Sequence, residues 1–235
     1  MKAMVFAAGN GTRLRPFTLH HPKALVKVGG TPMLQHVIEN LKATGVTQIV
    51  VNVHHFAEQI EQFLAANSNF GINIAVTDER ALLLDTGGGL LNARRFLDGT
   101  EPILLHNADI LTNLPLDSLT LHGDATLAVS HRQSSRSLVF DNDNRLCGWI
   151  NHKTSETKGN ADGLCYSFNG IHLVSPQIFP ALSNYGEEVF SLTPFYVANS
   201  SVMEIYGQDI SDYKWFDVGK PESLADARAW ADSLR

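Results

Sequence analysis

Cysteine is scarce in this 235-residue chain, which holds only Cys147 and Cys165. Two thiols without ligand spacing exclude a disulfide framework and a cysteine-held zinc site, and point to a reducing compartment, the cytoplasm. Long hydrophobic runs are missing too: none approaches the ~18 residues a membrane-spanning helix needs. The start, Met1-Lys2 and a short apolar stretch broken at Gly9, lacks a secretory-signal pattern. A soluble protein with no membrane partner is expected. Positive charge is outweighed, 18 Lys and Arg against 24 Asp and Glu, with a pI near 5.9; this argues against polymeric nucleic acid, which needs a basic face at domain scale. The ten histidines form no HExxH pair. The neighbours His20-His21 and His54-His55 are poorly placed to share one ion, so a zinc hydrolase is not expected. No Gly-x-Ser-x-Gly nucleophile turn occurs.

One further absence is local. No Asp or Glu precedes Glu39, although the chain carries net charge −6, and Arg13, Arg15, Lys23 and Lys27 all fall in that stretch. At its centre a short apolar strand runs into Ala7-Ala8-Gly9-Asn10-Gly11-Thr12. Two glycines and small neighbours let the backbone approach a ligand and present several N–H groups together, which makes an anion cradle. Two familiar glycine loops fail by spacing. A dinucleotide fingerprint needs a third small residue where Leu14 stands and an acid about 20 residues on; a phosphate-binding P-loop needs Gly-Lys-Ser/Thr where Gly11 is followed by Thr12-Arg13.

The pattern that does fit, Ala7 to Pro16, then Pro22-Lys23 and Gly30-Thr31-Pro32, resembles the signature of the sugar-1-phosphate nucleotidyltransferases. Within that family the chain is similar to the shorter uridylyltransferases acting on N-acetylmuramic acid 1-phosphate and to guanylyltransferase-like members. A second stretch, Trp215-Phe216-Asp217-Val218-Gly219-Lys220-Pro221, resembles the family's closing motif. The resemblance thus frames both ends and is weakest over residues 116–161.

With 44% hydrophobic residues the chain can bury a sizeable core. Strands over 47–53 and 72–77 alternate with helices over 31–44 and 57–66, the first opened by Thr31 as N-cap and Pro32 at its first position. This rhythm predicts an α/β fold with a parallel sheet covered on both faces, whose ligands lie beyond the carboxyl ends of the strands. Asp85-Thr86-Gly87-Gly88-Gly89 leads into a helix over 90–97, and bare N–H groups in front of a helix suit an anion; the resemblance implies that this turn meets the nucleotide base and ribose. A flexible turn is the plain alternative. A strand over 102–106 ends in Asn107-Ala108-Asp109, where the acid is either a ligand-edge carboxylate or a turn residue.

From residue 125 the texture changes to strands over 125–131, 137–140, 145–150 and 164–174, with the hairpin signal Asp141-Asn142-Asp143-Asn144. Residues 151–162 read as a loop, 187–198 as a helix, and Pro221 starts a last helix. Asn169-Gly170 is a hairpin turn or, inside its apolar run, a site step. No internal repeat appears.

The resemblance implies one Rossmann-like domain, a mostly parallel sheet sandwiched by helices, with residues 1–124 as the nucleotide half and 125–235 as a small β-rich half for the sugar phosphate. It implies transfer of a nucleotidyl group from an NTP, UTP favoured, to a sugar 1-phosphate, with GTP and mannose 1-phosphate or CTP and phosphocholine as the alternative pairs and Mg²⁺ as cofactor. Arg13 and Lys23 would be catalytic and Asp109 and Asp217 the metal ligands. Ala7, Ala8, Gly9, Asn10, Gly11, Thr12, Thr86, Gly87, Gly88 and Asn107 would bind the nucleotide, and Asn169, Gly170, Glu187 and Lys158 the acceptor. Two departures stand out: Ala108 replaces the family's usual glycine, and no lysine motif marks the phosphate-holding lysine, leaving Lys153 and Lys158 open. These departures leave room for a nucleotide-binding regulator without catalysis. The expected assembly is a monomer or small homo-oligomer, too short for a further acyltransferase domain.

Overall fold

A computed structural model describes residues 1–233. The chain opens with β1 (Lys2–Phe6), whose Ala3, Met4 and Val5 are fully buried, as a parallel strand covered on both faces requires. β2 (Lys27–Val28) and β3 (Thr31–Pro32) form a small antiparallel hairpin, followed by α1 (Met33–Ala43), β4 (Gln48–Val53), α2 (Ala57–Ala66) and β5 (Asn73–Asp78). Then come α3 (Asp85–Leu97), β6 (Ile103–Asn107) and β7 (Ile110–Thr112). The second half holds β8 (Ala125–Ser130), β9 (Arg136–Phe140), β10 (Leu146–Asn151), β11 (Glu156–Gly159), β12 (Leu164–Val174), α4 (Ile178–Ser183), α5 (Leu192–Asn199), β13 (Ile205–Asp209), β14 (Trp215–Asp217) and α6 (Pro221–Ser233).

The parallel run β5-β4-β1-β6 is the expected α/β sheet, and β12 joins it antiparallel to β6. Both halves therefore share one sheet, which β8, β13 and β9-β10-β11 extend. β1 and β6 end together at Phe6 and Asn107, in register with Asn52 one residue before the end of β4, so the first loop emerges at their carboxyl edge. Buried side chains on α1 (Leu34, Val37, Ile38, Leu41) and α2 (Ile60, Leu64) close one face of the sheet. Leu90, Ala93 and Leu97 of α3 and Phe195 and Tyr196 of α5 close the other.

Four expected elements differ. Thr31 is not a helix cap: Gly29 and Gly30 take φ of 55° and 79°, the two-residue hairpin turn, so Thr31 and Pro32 enter a ladder and α1 starts at Met33. Residues 151–162 contain a four-residue strand, β11, paired to β10; all four of its residues are exposed, so no apolar alternation announces it. The 187–198 helix begins only at Leu192, because residues 188–190 are drawn across the start of α3. Finally α3 starts at Asp85 and takes the three glycines into its first turn.

Candidate active site

The loop after β1 is held open from behind. Asn52, a buried amide in an otherwise apolar strand, accepts the Ala7 N–H through Oδ1 at 2.8 Å and donates through Nδ2 to Glu79 Oε1 at 2.8 Å. Glu79 Oε2 in turn accepts the Leu84 N–H at 3.1 Å, and burial raises its pKa against the pull of these hydrogen bonds. One polar chain thus ties β1, β4 and the approach to α3. Gly11 has φ of 62°, where a side chain would be strained and would press on Lys23 and Thr18 at 3.1 Å.

These elements enclose a 540 Å³ cavity. Ala7, Ala8, Gly9, Asn10, Gly11 and Thr12 all line it, with Arg13, Lys23, Asn52, Thr86, Asn107 and Asp109. Phe6, Ala24, Leu83, Asp85, Ala108, Val189 and Gly219 complete the walls. Asp109 and Asp217, 108 positions apart in sequence, are brought together by the β7–β14 pair, in which Asp217 stands opposite Ile110 and the Val218 N–H donates to the Asp109 carbonyl at 3.0 Å.

Lys23 lies between the two acids: its Nζ hydrogen-bonds Asp109 Oδ2 and is 3.8 Å from Asp217 Oδ1, while Arg13 reaches Asp217 Oδ2 at 4.0 Å. Burial is the main reason the Lys23 pKa drops to about 8; Asp217 pulls it up and Arg13 pushes it down. The ammonium form still dominates at neutral pH. Gly219 lets these groups approach closely, since a Cβ there would lie 2.3 Å from Lys23 Nζ and 2.6 Å from Asp217 Oδ1 and push both side-chain ends aside.

Two convergent carboxylates already facing a cation suit a hard divalent ion, which takes oxygen ligands and keeps waters or phosphate oxygens in its other positions. No cluster of three or more acidic, histidine or cysteine side chains occurs among the described residues, so the protein would supply only this pair.

A second cavity of 450 Å³ shares Phe6, Asp85, Thr86 and Asn107 with the first and is lined beyond them by Arg132, Arg136, Trp149, Lys158, Phe168 and His172. Arg132 donates to Asn169 Oδ1 at 3.1 Å and to the Phe168 carbonyl at 2.7 Å, and its guanidinium lies 4.4 Å from the Trp215 ring centroid.

A family model described as Nucleotidyl transferase matches residues 2–136. The chain belongs to this family. It is 33% identical to the N-acetylmuramate alpha-1-phosphate uridylyltransferase of Neisseria meningitidis serogroup B, over 100% of both chains. It is 31% identical to the protein of the same name from Caulobacter vibrioides, over 97% of this chain and 95% of that one. Among solved structures, HddC from Yersinia pseudotuberculosis superposes with a TM-score of 0.79 over 100% of this chain and 99% of that one, at 20% identity, a likeness of fold.

Within this nucleotidyltransferase the structure gathers Arg13, Lys23, Asp109, Asp217, residues 7–12, Thr86 and Asn107 around the first cavity. Gly87 and Gly88 stand elsewhere. They are buried, and their N–H groups both point at the Phe190 carbonyl, at 2.8 and 3.3 Å. A Cβ would overlap the Phe190 ring at Gly87 and the Glu188 carbonyl at Gly88, so these glycines admit a neighbouring chain rather than a ligand.

Asn169 is buried and lines neither cavity; its amide orients Arg132 and accepts the Ser130 hydroxyl, while its carbonyl accepts the Trp215 indole N–H at 2.8 Å. Gly170 packs against Asn107, where a Cβ would come within 2.6 Å of Nδ2. Glu187 is exposed and lines neither cavity, and Lys158 lines the second. Sequence reading missed Asn52, Asp85, Arg132, Arg136 and Trp149. Only Asn52 carried a signal, a lone amide within Ile49-Val50-Val51-Asn52-Val53.

Proposed function

We propose that this nucleotidyltransferase joins UTP to an N-acetylated amino-sugar 1-phosphate, releasing pyrophosphate and an NDP-sugar. The observation that carries the reading is Lys23 set between Asp109 and Asp217 at the mouth of the glycine loop, with a second cavity opening beside it. The names of the relatives support the choice of UTP and of N-acetylmuramate α-1-phosphate as acceptor. Residues 1–124 serve mainly the nucleotide and 125–235 the acceptor, although Asp217 and Gly219 cross over to complete the nucleotide site.

A phosphate monoester with a second pKa near ~6 is largely ionised at neutral pH, so its oxygen can attack the α-phosphorus without a general base. The obstacle is the meeting of two polyanions, and the site supplies fixed positive charge and alignment. Arg13 offers a fork of donors to the β- and γ-phosphates and to the departing pyrophosphate; Lys23 gives a point charge at the α-phosphate. The amides of Ala8, Gly9 and Gly11 line the phosphate and ribose path, and Thr86 and Asn107 stand where both substrates meet. Asp109 and Asp217 are the residues that would hold Mg²⁺, which when bound neutralises phosphate charge in the transition state. Both cysteines are free, in keeping with work in the cytoplasm.

The test is pyrophosphate release over four NTPs crossed with several sugar 1-phosphates. UTP with an N-acetylated amino-sugar 1-phosphate is expected to be the fastest pair, and EDTA is expected to abolish the rate. A faster reaction with GTP and a neutral hexose 1-phosphate would replace the substrate assignment; NTP binding without turnover would remove the reaction.

A further inference from the structure

The reaction above uses the first cavity and the edge it shares with the second, but not the far wall of the second. That wall is a sheet face. Trp149 on β10 stands directly opposite Leu138 on β9 and Lys158 on β11, so the three side chains share one face; Arg136, two residues before Leu138, shares it too. All four line the second cavity and none lines the first. The result is an apolar platform, Leu138 and Trp149, with a cation at either end.

The charge there is unbalanced. The second cavity is lined by three cationic side chains, Arg132, Arg136 and Lys158, and by a single acid, Asp85, which is already engaged by the Ser191 hydroxyl at 2.5 Å. This is a positive cavity in a chain of net charge −6. Arg132 accounts for one phosphate: it is held over Trp215, two positions from Asp217, beside the place where the acceptor phosphate must reach the α-phosphorus.

Arg136 and Lys158 are left over. The Arg136 guanidinium has no hydrogen bond or ion pair among the described residues; its only hydrogen bond is from its main-chain N–H to Ser134 Oγ, at 3.3 Å. Lys158 has Glu156 at 3.9 Å, both ends largely exposed, a contact of little strength, and its Nζ lies 5.7 Å from the Trp149 ring centroid. A neutral sugar would leave the Arg136 guanidinium unpaired among the described residues and Lys158 with only its exposed contact to Glu156 and the Trp149 ring.

We propose that Arg136 and Lys158, flanking the Trp149 platform, are specificity-determining residues that select an acceptor sugar phosphate bearing a second anionic group, a carboxylate. This rests on the acceptor being a sugar 1-phosphate. The pyranose lays its C–H face on Trp149, its phosphate turns towards Arg132 and Lys23, and its carboxylate meets the guanidinium fork of Arg136, the geometry arginine matches best.

The experiment measures kcat and KM with UTP and three acceptors: an N-acetylhexosamine 1-phosphate carrying a carboxylate on an ether arm, the same sugar without that arm, and a hexose 1,6-bisphosphate. The unmodified enzyme is expected to prefer the carboxylated acceptor to both others. Arg136→Gln is expected to cut that preference at least ~10-fold, the size of one lost charged hydrogen bond, through KM rather than kcat. Arg136→Lys is expected to restore part of it, which a merely structural residue would not do. Equal losses on the carboxylated and plain acceptors, or a preference for the bisphosphate, would overturn the assignment. Turnover without discrimination sinks this inference alone, whereas no turnover with any sugar 1-phosphate sinks the reaction and the inference together.

Discussion

The smallest decisive group is the Lys23 ammonium. It is mostly buried, faces two carboxylates, and keeps its proton at neutral pH despite a pKa brought down to about 8. Lys23→Ala and Asp109→Asn are each expected to lower turnover by at least ~10²-fold, as loss of one electrostatic stabiliser does; near-normal rates in both would refute their roles. Gly219 makes a sharper case, because it contributes no functional group. Gly219→Ala places a methyl 2.3 Å from Lys23 Nζ and 2.6 Å from Asp217 Oδ1, so both side-chain ends must move aside, and a displacement of about 1 Å at a reacting centre costs ~10²-fold. A rate loss of that size with an almost unchanged melting temperature is expected, and steady-state kinetics beside thermal unfolding checks it.

Among the elements, β4 does more than pack. Its Asn52 carries the only side-chain link between the loop after β1 and the Glu79 carboxylate ahead of α3 among the described residues. Asn52→Ala leaves the Ala7 N–H and one Glu79 oxygen without their partner, a cost of about 1–3 kcal/mol for a buried group. Because Asn52 also lines the nucleotide cavity, the variant is expected to raise KM for the NTP more than KM for the acceptor. Urea unfolding and the two KM values test this; equal changes in both would make Asn52 purely structural.

The β7–β14 pair is the other element on which the site depends. Three residues on each side carry Asp109 and Asp217 to the same point, and neither strand is long or regular enough to stand out in the sequence. The same reason hid β11 and its exposed residues. Long elements with strong periodicity, α2 and β12, were legible to the residue, whereas the chain from Glu187 to Ser191 lost its expected helix to hydrogen bonds with the start of α3.

Across the whole molecule, the two halves meet at the β6–β12 seam, where His106 and His172 are both buried. Burial lowers the His106 pKa to about 4, against a hydrogen bond to the Asn107 carbonyl that raises it, and lowers that of His172 to about 3. Both rings are therefore neutral when folded, while in the unfolded chain they take up protons near 6.5. Their contribution to stability is complete above about pH 6.5 and is lost as pH falls towards the folded values, because the unfolded state then binds more protons.

Unfolding free energy is expected to drop steadily from pH 7 to 5, before most carboxylates titrate. Neither ring nitrogen of His172 has a hydrogen-bond partner among the described residues, so His172→Phe is expected to flatten that slope and to stabilise the fold at pH 5.5. Denaturant titrations at three pH values check it, and an unaltered slope would dismiss the seam as the source.

What the amino-acid order determined by itself is everything that local chemistry can write: glycines and small residues for a backbone cradle, a run free of acids around it, the βαβ rhythm that puts that cradle at the carboxyl edge of a parallel sheet, and a second acidic motif near the end. Such features depend on neighbours a few positions apart, and those neighbours are in the sequence. What only the tertiary structure decided depends on distant pieces of chain. It turned the glycines at 87 and 88 from ligand donors into a seat for Phe190, made Asn169 the support of Arg132, and set Trp149 between Arg136 and Lys158. The physical reason is that a backbone N–H or a side-chain amide bonds whichever partner packing delivers, and packing between residues a hundred positions apart is settled only when the sheet closes.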